Sequence, residues 1–171
     1  MLSRNHIKRK DSSNGGLSKS CRKTRRKNVK RAIKMLDAFR ARNFTQVLDF
    51  FAPDAVVNFN ATSAVVDGNF VIPFAGVQPV DQFLSFVGQF LTNVTVGPSQ
   101  DIAFSCDFSQ VYITVNVSAA ARCNSSGPTG STIITEYVLK FTFNDDRRIS
   151  RLDISGDIAS LTRFFSFRCA V

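Results

Sequence analysis

At 171 residues, 44% of them apolar, the chain is long enough for one domain with a core of its own. Seventeen phenylalanines, two tyrosines and no tryptophan predict an interior rich in rings and poor in polar handles. The net charge of +9 is segregated: residues 1–31 carry twelve Lys and Arg against the single acid Asp11, and no Lys or Arg occurs between Asn43 and Ala121. The folded part is therefore excluded as the main attractor of a polyanion, and the N-terminal arm is what such a partner meets first.

Residues 1–21 are polar, with Ser12-Ser13-Asn14-Gly15-Gly16 as a joint, and are expected to form a disordered basic arm ahead of a domain spanning 22–171. Lys8-Arg9-Lys10 and the cluster Arg22, Lys23, Arg25, Arg26, Lys27, Lys30, Arg31 are candidates for polyanion contact or for docking an import receptor. No aromatic interleaves these charges, which points to phosphate attraction without base stacking. From residue 22 a helix is expected, with Val29, Ala32, Ile33, Leu36 and Phe39 on one apolar stripe. A second short helix, carried by Phe44, Val47, Leu48 and Phe51, ends at Pro53. Residues 54–60 read as a strand, and 69–77 as an extended piece made irregular by Pro73. A third helix is predicted from Pro79 to Asn93, with Asp81 at its positive end.

After Gly97-Pro98 the apolar period changes from 3.6 to 2. Strands are predicted at 100–106, around 111–117, and at 131–144. In the last, Ile133, Thr135, Tyr137, Leu139, Phe141 and Phe143 alternate with Ile134, Glu136, Val138, Lys140 and Thr142. Asn144–Arg147 forms a hairpin turn, 148–156 a returning strand, and 158–167 a final helix. Helices first and locally paired strands later define an α+β fold.

The four cysteines, Cys21, Cys106, Cys123 and Cys169, have no CxxC spacing, and the lone His6 lies in the arm. No zinc site, other metal site or cofactor is implied, and scattered thiols fit a reducing compartment. The first residues lack a secretory apolar run, and the longest apolar stretch, broken by Pro73, is too short to span a bilayer. The expected location is intracellular, nuclear or cytoplasmic; a mitochondrial presequence is the competing reading of the Arg- and Ser-rich arm.

Three passages in order, FFAPDAVVNF (50–59), IPFAGVQPVDQFLSFV (72–87) and EYVLKFTFNDDRRISRLDISGD (136–157), resemble the SnoaL-like branch of the NTF2-like superfamily. The resemblance covers roughly residues 29–165. It implies a cone: N-terminal helices packed on a strongly curved, mostly antiparallel sheet around an interior pocket, often in a homodimer. It does not fix function, since the fold hosts isomerases, cyclases, hydrolases and binding modules.

The ketosteroid isomerases of the superfamily need a carboxylate base and two oxyanion donors. Carried over by the motifs, these positions fall on Phe59, Met35 and Leu139, all apolar, which argues against that reaction. The Asp–His pair of the polyketide cyclases lacks its histidine. The Asp-Arg-Asp group of the epoxide hydrolases would need Asp107, Arg122 and Asp153 to converge. Glu136, the only glutamate, is a cavity acid or an outward carboxylate beside Lys140. With Phe59, Tyr112, Tyr137 and Leu139 it completes the set of pocket candidates. The favoured reading is a module that binds a small apolar ligand or a partner and uses its arm for localisation or nucleic acid. The alternatives are a cofactor-independent isomerase, cyclase or lyase on an apolar substrate, and a coat-like subunit whose arm neutralises nucleic acid.

Overall fold

The computed structural model describes residues 19–60, 76–105, 109–121 and 132–156. The arm through residue 18, the extended piece at 69–75, the expected helix at 158–167, and Cys106, Cys123 and Cys169 lie outside the described residues.

Helix α1 runs Lys19–Arg40, so it begins three residues before the boundary read from the sequence. Its buried stripe is Asn28, Ala32, Met35, Leu36 and Ala38, with Val29, Ile33 and Phe39 packed against the core at its margin. The opposite face carries the basic residues. Arg42 takes a left-handed φ of 55° and turns the chain into helix α2, Phe44–Leu48. Asn43 caps α2: its Oδ1 accepts from the Gln46 backbone N–H at 3.1 Å, satisfying one of the free donors of the first turn.

Helix α2 stops at Leu48 and strand β1 runs Phe51–Phe59, so Pro53 does not end a helix as expected but sits inside a strand. The sheet accommodates it because the pairing register shifts between Phe51 and Val56, and an irregularity is where a residue without an N–H is tolerated. Strand β2, Gly76–Pro79, leads directly into helix α3, Val80–Phe90. Pro79 is the cap residue rather than the first helical one, and Asp81 lies in the first turn.

The helix expected to reach Asn93 ends at Phe90, and Leu91–Val96 is a strand, β3. Two features outweigh the helical stripe there. Thr92, Val94, Thr95 and Val96 are β-branched and favour a pleated surface. Asn93 adopts φ 52°, and the β3 register shifts between Thr92 and Thr95, as a bulge requires.

Strand β4 is short, Ile102–Phe104, and is followed by three long strands: β5 Gln110–Ala121, β6 Thr132–Phe143 and β7 Ile149–Gly156. The sheet order is β2-β1-β7-β6-β5-β3, with β4 also on β5. All pairs are antiparallel except β1 with β7. β3 pairs with Val117–Ala121 and β4 with Val111–Ile113, so the two share one edge of β5. The β6–β7 turn is closed by Asn144, whose Oδ1 accepts from the Arg148 N–H at 2.9 Å, while Arg147 sits at φ 61°.

Period-2 alternation gives β6 a dry face and a wet one. On β6, Thr135, Tyr137, Leu139, Phe141 and Phe143 are buried, while Ile134, Glu136 and Val138 are exposed. The curved sheet wraps its dry face around α1 and α3. Arg40 fastens the helix layer to the sheet: its Nε donates to the Val96 carbonyl at 2.9 Å and its Nη2 to the Gly97 carbonyl at 2.6 Å. A third donor, Nη1, reaches Asp37 Oδ1 at 2.6 Å.

Candidate functional site

Between the helices and the sheet's dry face lies a cavity of about 120 Å³. Met35, Leu36 and Phe39 of α1 close one side and Val80, Phe83 and Val87 of α3 another. The floor is the inner face of β1, β5, β6 and β7, including Val57, Phe59, Val115, Leu139 and Ile154. These residues are there because the 3.6-residue stripes of the helices and the alternating positions of the strands all point into the same space. Phe59 is the centre of an aromatic cluster, 6.5 Å from the Phe83 ring at a near-parallel 28° and 6.0 Å from the Tyr137 ring at 53°.

Among the described residues, two polar residues stand on the wall, Thr135 and Tyr137. The Tyr137 ring lies against Gly156, where an added Cβ would stand 2.7 Å from the Glu136 carbonyl oxygen and from the ring's Cε1. The missing side chain at 156 therefore sets the ring's position. Thr135 is 6% exposed, and its Oγ1 is buried with no hydrogen-bond partner among the described residues.

Of the pocket candidates, Phe59, Tyr137 and Leu139 line the cavity, and so does Met35, the third isomerase position. Tyr112 and Glu136 do not, which corrects their place among the pocket candidates and leaves Glu136 with its outward reading. Tyr112 stands opposite Lys140 on the outer face and donates to Gln110 Oε1 at 2.8 Å. Glu136 is exposed opposite Asn116, between Ile134 and Val138. The sheet alternation that turns Tyr137 and Leu139 inward turns both of them out. Thr135 is not among the residues the sequence singles out; the available signal is its place as the one small polar residue in the inward set of β6.

Asp153 also belongs to the outer face. Its carboxylate accepts from Asn58 Nδ2 and from Arg151 Nε, each at 2.9 Å, and lies 3.9 Å from Lys140 Nζ. An Asp-Arg-Asp group inside the cavity cannot use it; Asp107 and Arg122 lie outside the described residues. Among the described residues no His/Cys/Asp/Glu cluster could hold a metal ion, and no helix is long and apolar enough to cross a membrane.

A second feature lies on the outside of α1. Arg22, Arg25, Arg26, Lys30 and Lys34 border an open groove against Ile102 and Phe104 of β4. The Arg25 guanidinium stacks over the Phe104 ring at 3.7 Å. On the same helix, Arg31 donates to the Arg147 carbonyl at 2.7 Å. The nearby positive charge of Arg147, with lesser effects of desolvation and Lys23, holds the Lys27 amine below the ordinary lysine value. Of the arm candidates, Lys8, Arg9 and Lys10 lie outside the described residues, whereas Arg22 to Arg31 are on a folded helix.

No protein-family model matches the sequence, and neither does any curated protein. Solved structures match the fold. TerC, co-crystallised with polyporic acid, superposes with a TM-score of 0.64 at 15% identity over 81% of this chain and 98% of its own. An NTF2-like protein of unknown function from Burkholderia pseudomallei gives 0.64 at 16% identity over 80% and 95%. A candidate polyketide cyclase from Xanthomonas campestris gives 0.66 at 12% identity over 86% and 99%. The chain has the NTF2-like α+β cone fold. At this level of identity the likeness is one of fold.

Proposed function

We propose that the domain is a binding module for a small apolar ligand held in the cone. The cavity carries this reading: it is lined by apolar side chains from three helices and five strands, the usual character of a small-molecule site. The similar fold co-crystallised with polyporic acid supports it as an example of a cone and a small organic molecule occurring together. A cyclase- or isomerase-type turnover needs a group that moves a proton, and Tyr137 is the only ionisable side chain on the wall among the described residues. The binding reading is tested by titrating full-length protein with toluene and following NMR shifts. Shifts confined to cavity residues, and lost in the cavity-filling variant Val115→Phe, are expected; no shift at millimolar toluene refutes it.

The groove on α1 favours a second role beside the first, contact with the phosphates of a nucleic acid. Five cations on one folded helix face, one of them stacked on a ring, concentrate positive charge where a phosphate backbone neutralises it. For the homodimer implied by the resemblance we propose the outer face of β6 as the contact, supported by the exposure of Ile134, 75%, and Val138, 42%. Sedimentation of Ile134→Lys as a monomer against a wild-type dimer tests it.

A further inference from the structure

We propose that the groove beside α1 binds single-stranded nucleic acid, with phosphates along a row of cations and bases stacked on the paired Arg25 guanidinium and Phe104 ring. The inference rests on the phosphate-contact reading above and names its partner.

The sequence spacing builds one side of the groove. Arg22, Arg26, Lys30 and Lys34 recur every four residues on α1, so they form one inclined ridge along the helix. Neighbours on it are ~6 Å apart along the axis, a step that suits successive phosphates of one extended strand. Arg25, Val29 and Ile33 recur at the same interval and form the next ridge, with Val29 and Ile33 packed against the core. Both ridges line the groove, and Ile102 and Phe104 of β4 form its other side. A further row, Lys23, Lys27 and Arg31, adds positive field outside the groove.

The groove is therefore cationic along one flank and apolar along its floor, and no Asp or Glu lines it among the described residues. A single strand has the same two-sidedness, an ionic phosphate edge and bases whose flat faces are free to stack. A duplex neutralises the cations equally well, but its base faces are already stacked on one another. It would leave Ile102, 41% exposed, and the half-buried Phe104 ring without a partner surface from the nucleic acid.

The stacking ring comes from the fold. The basic cluster 22–31 contains no aromatic residue. Strand β4, paired on β5 through Ala103 and Tyr112, brings Phe104 to the cluster, where the Arg25 guanidinium lies 3.7 Å from the ring centroid. Aromatic rings and guanidinium planes both stack on bases. Arg25 and Phe104 are each half-buried, so part of each stays accessible from the groove they line.

The chain has no tryptophan, so Phe104→Trp puts a single indole in the groove. Full-length wild type, Phe104→Trp and Phe104→Ala are titrated with three labelled probes of equal length: oligo-dT, an abasic strand with the same phosphates, and a duplex. Fluorescence anisotropy reads the affinity. Wild type is expected to bind oligo-dT at least about fivefold more tightly than the abasic strand, the lower end of what one stacked base contributes. Phe104→Ala removes that preference and changes the abasic strand and the duplex by less than about twofold. Oligo-dT, and not the abasic strand, quenches the indole of Phe104→Trp. Equal wild-type affinity for oligo-dT and the abasic strand, or an equal effect of Phe104→Ala on all three probes, overturns the single-strand assignment and leaves the phosphate-contact reading standing. Failure of wild type to bind any probe at low salt overturns both. A Glu-Phe peptide of matched charge that binds wild type more tightly than oligo-dT also overturns the assignment and gives the groove to an acidic protein segment. The comparison of oligo-dT with the abasic strand needs only wild type, so it decides the matter even where circular dichroism shows a variant to be unfolded.

Discussion

Thr135→Val replaces a hydroxyl by a methyl of nearly the same size at a position only 6% exposed, which makes the stability of the free protein a direct test of the buried, unpartnered hydroxyl. In the ligand-free state the hydroxyl carries a desolvation cost with no hydrogen bond to offset it. Removing it is expected to stabilise the protein by about 1–2 kcal/mol, within the ~1–3 kcal/mol range for an unsatisfied buried group. For a chain of this size that raises Tm by about 2–8 °C. Urea denaturation measures the change as a shift in midpoint at constant slope, and differential scanning calorimetry checks it independently. Destabilisation of the free variant by 1 kcal/mol or more would mean that the hydroxyl is paired in the native state, and the reasoning from an orphaned group would fail.

Arg40→Met keeps the aliphatic stem but removes the donors to the Val96 and Gly97 carbonyls; a loss of about 2–3 kcal/mol is expected by denaturation, with amide exchange accelerated first in Leu91–Val96. Gly156→Ala brings a methyl against the Glu136 carbonyl and the Tyr137 ring, so a destabilisation of about 1–3 kcal/mol should accompany weaker toluene binding; a neutral effect on both would show that the ring has room to move. Replacing Arg22, Arg25, Arg26 and Lys30 by Gln should weaken duplex DNA binding and lower the slope of log K against log salt by about 3–4 if each contacts one phosphate, whereas an unchanged slope would remove α1 from the interface.

Much of the fold was readable because its signals are local and repeated. The alternation in 131–144 distinguishes inward from outward residues on β6, and the helical spacing of Val80, Phe83 and Val87 matches the face that α3 turns to the cavity. The errors fall where a local pattern has two readings. Leu91 continues the apolar stripe of α3, yet β-branched residues and the left-handed Asn93 turn the same stretch into β3. Pro53 reads as a helix stop because the sheet irregularity that admits it depends on β7, about a hundred residues later. The site was half legible. Phe59 and Leu139 follow from the motif order, but Glu136 and Tyr112 stand out only by their chemistry, and the sheet alternation turns them outward. Thr135 needed the structure, because an unpaired hydroxyl is defined by what its neighbours fail to offer.

The parallel pairing of β1 with β7 also constrains when the fold can form. Asn58 and Asp153, bonded across that pair, are 95 residues apart in the chain, so β1 has one of its two sheet neighbours only after almost all of the described chain is present. A large loop must close before this contact repays its entropy, which places folding in the slower regime of non-local β topologies, milliseconds to seconds. During synthesis the apolar faces of α1, β1 and α3 must wait for β7, and an emerging chain of this sequence is exposed to aggregation over that interval.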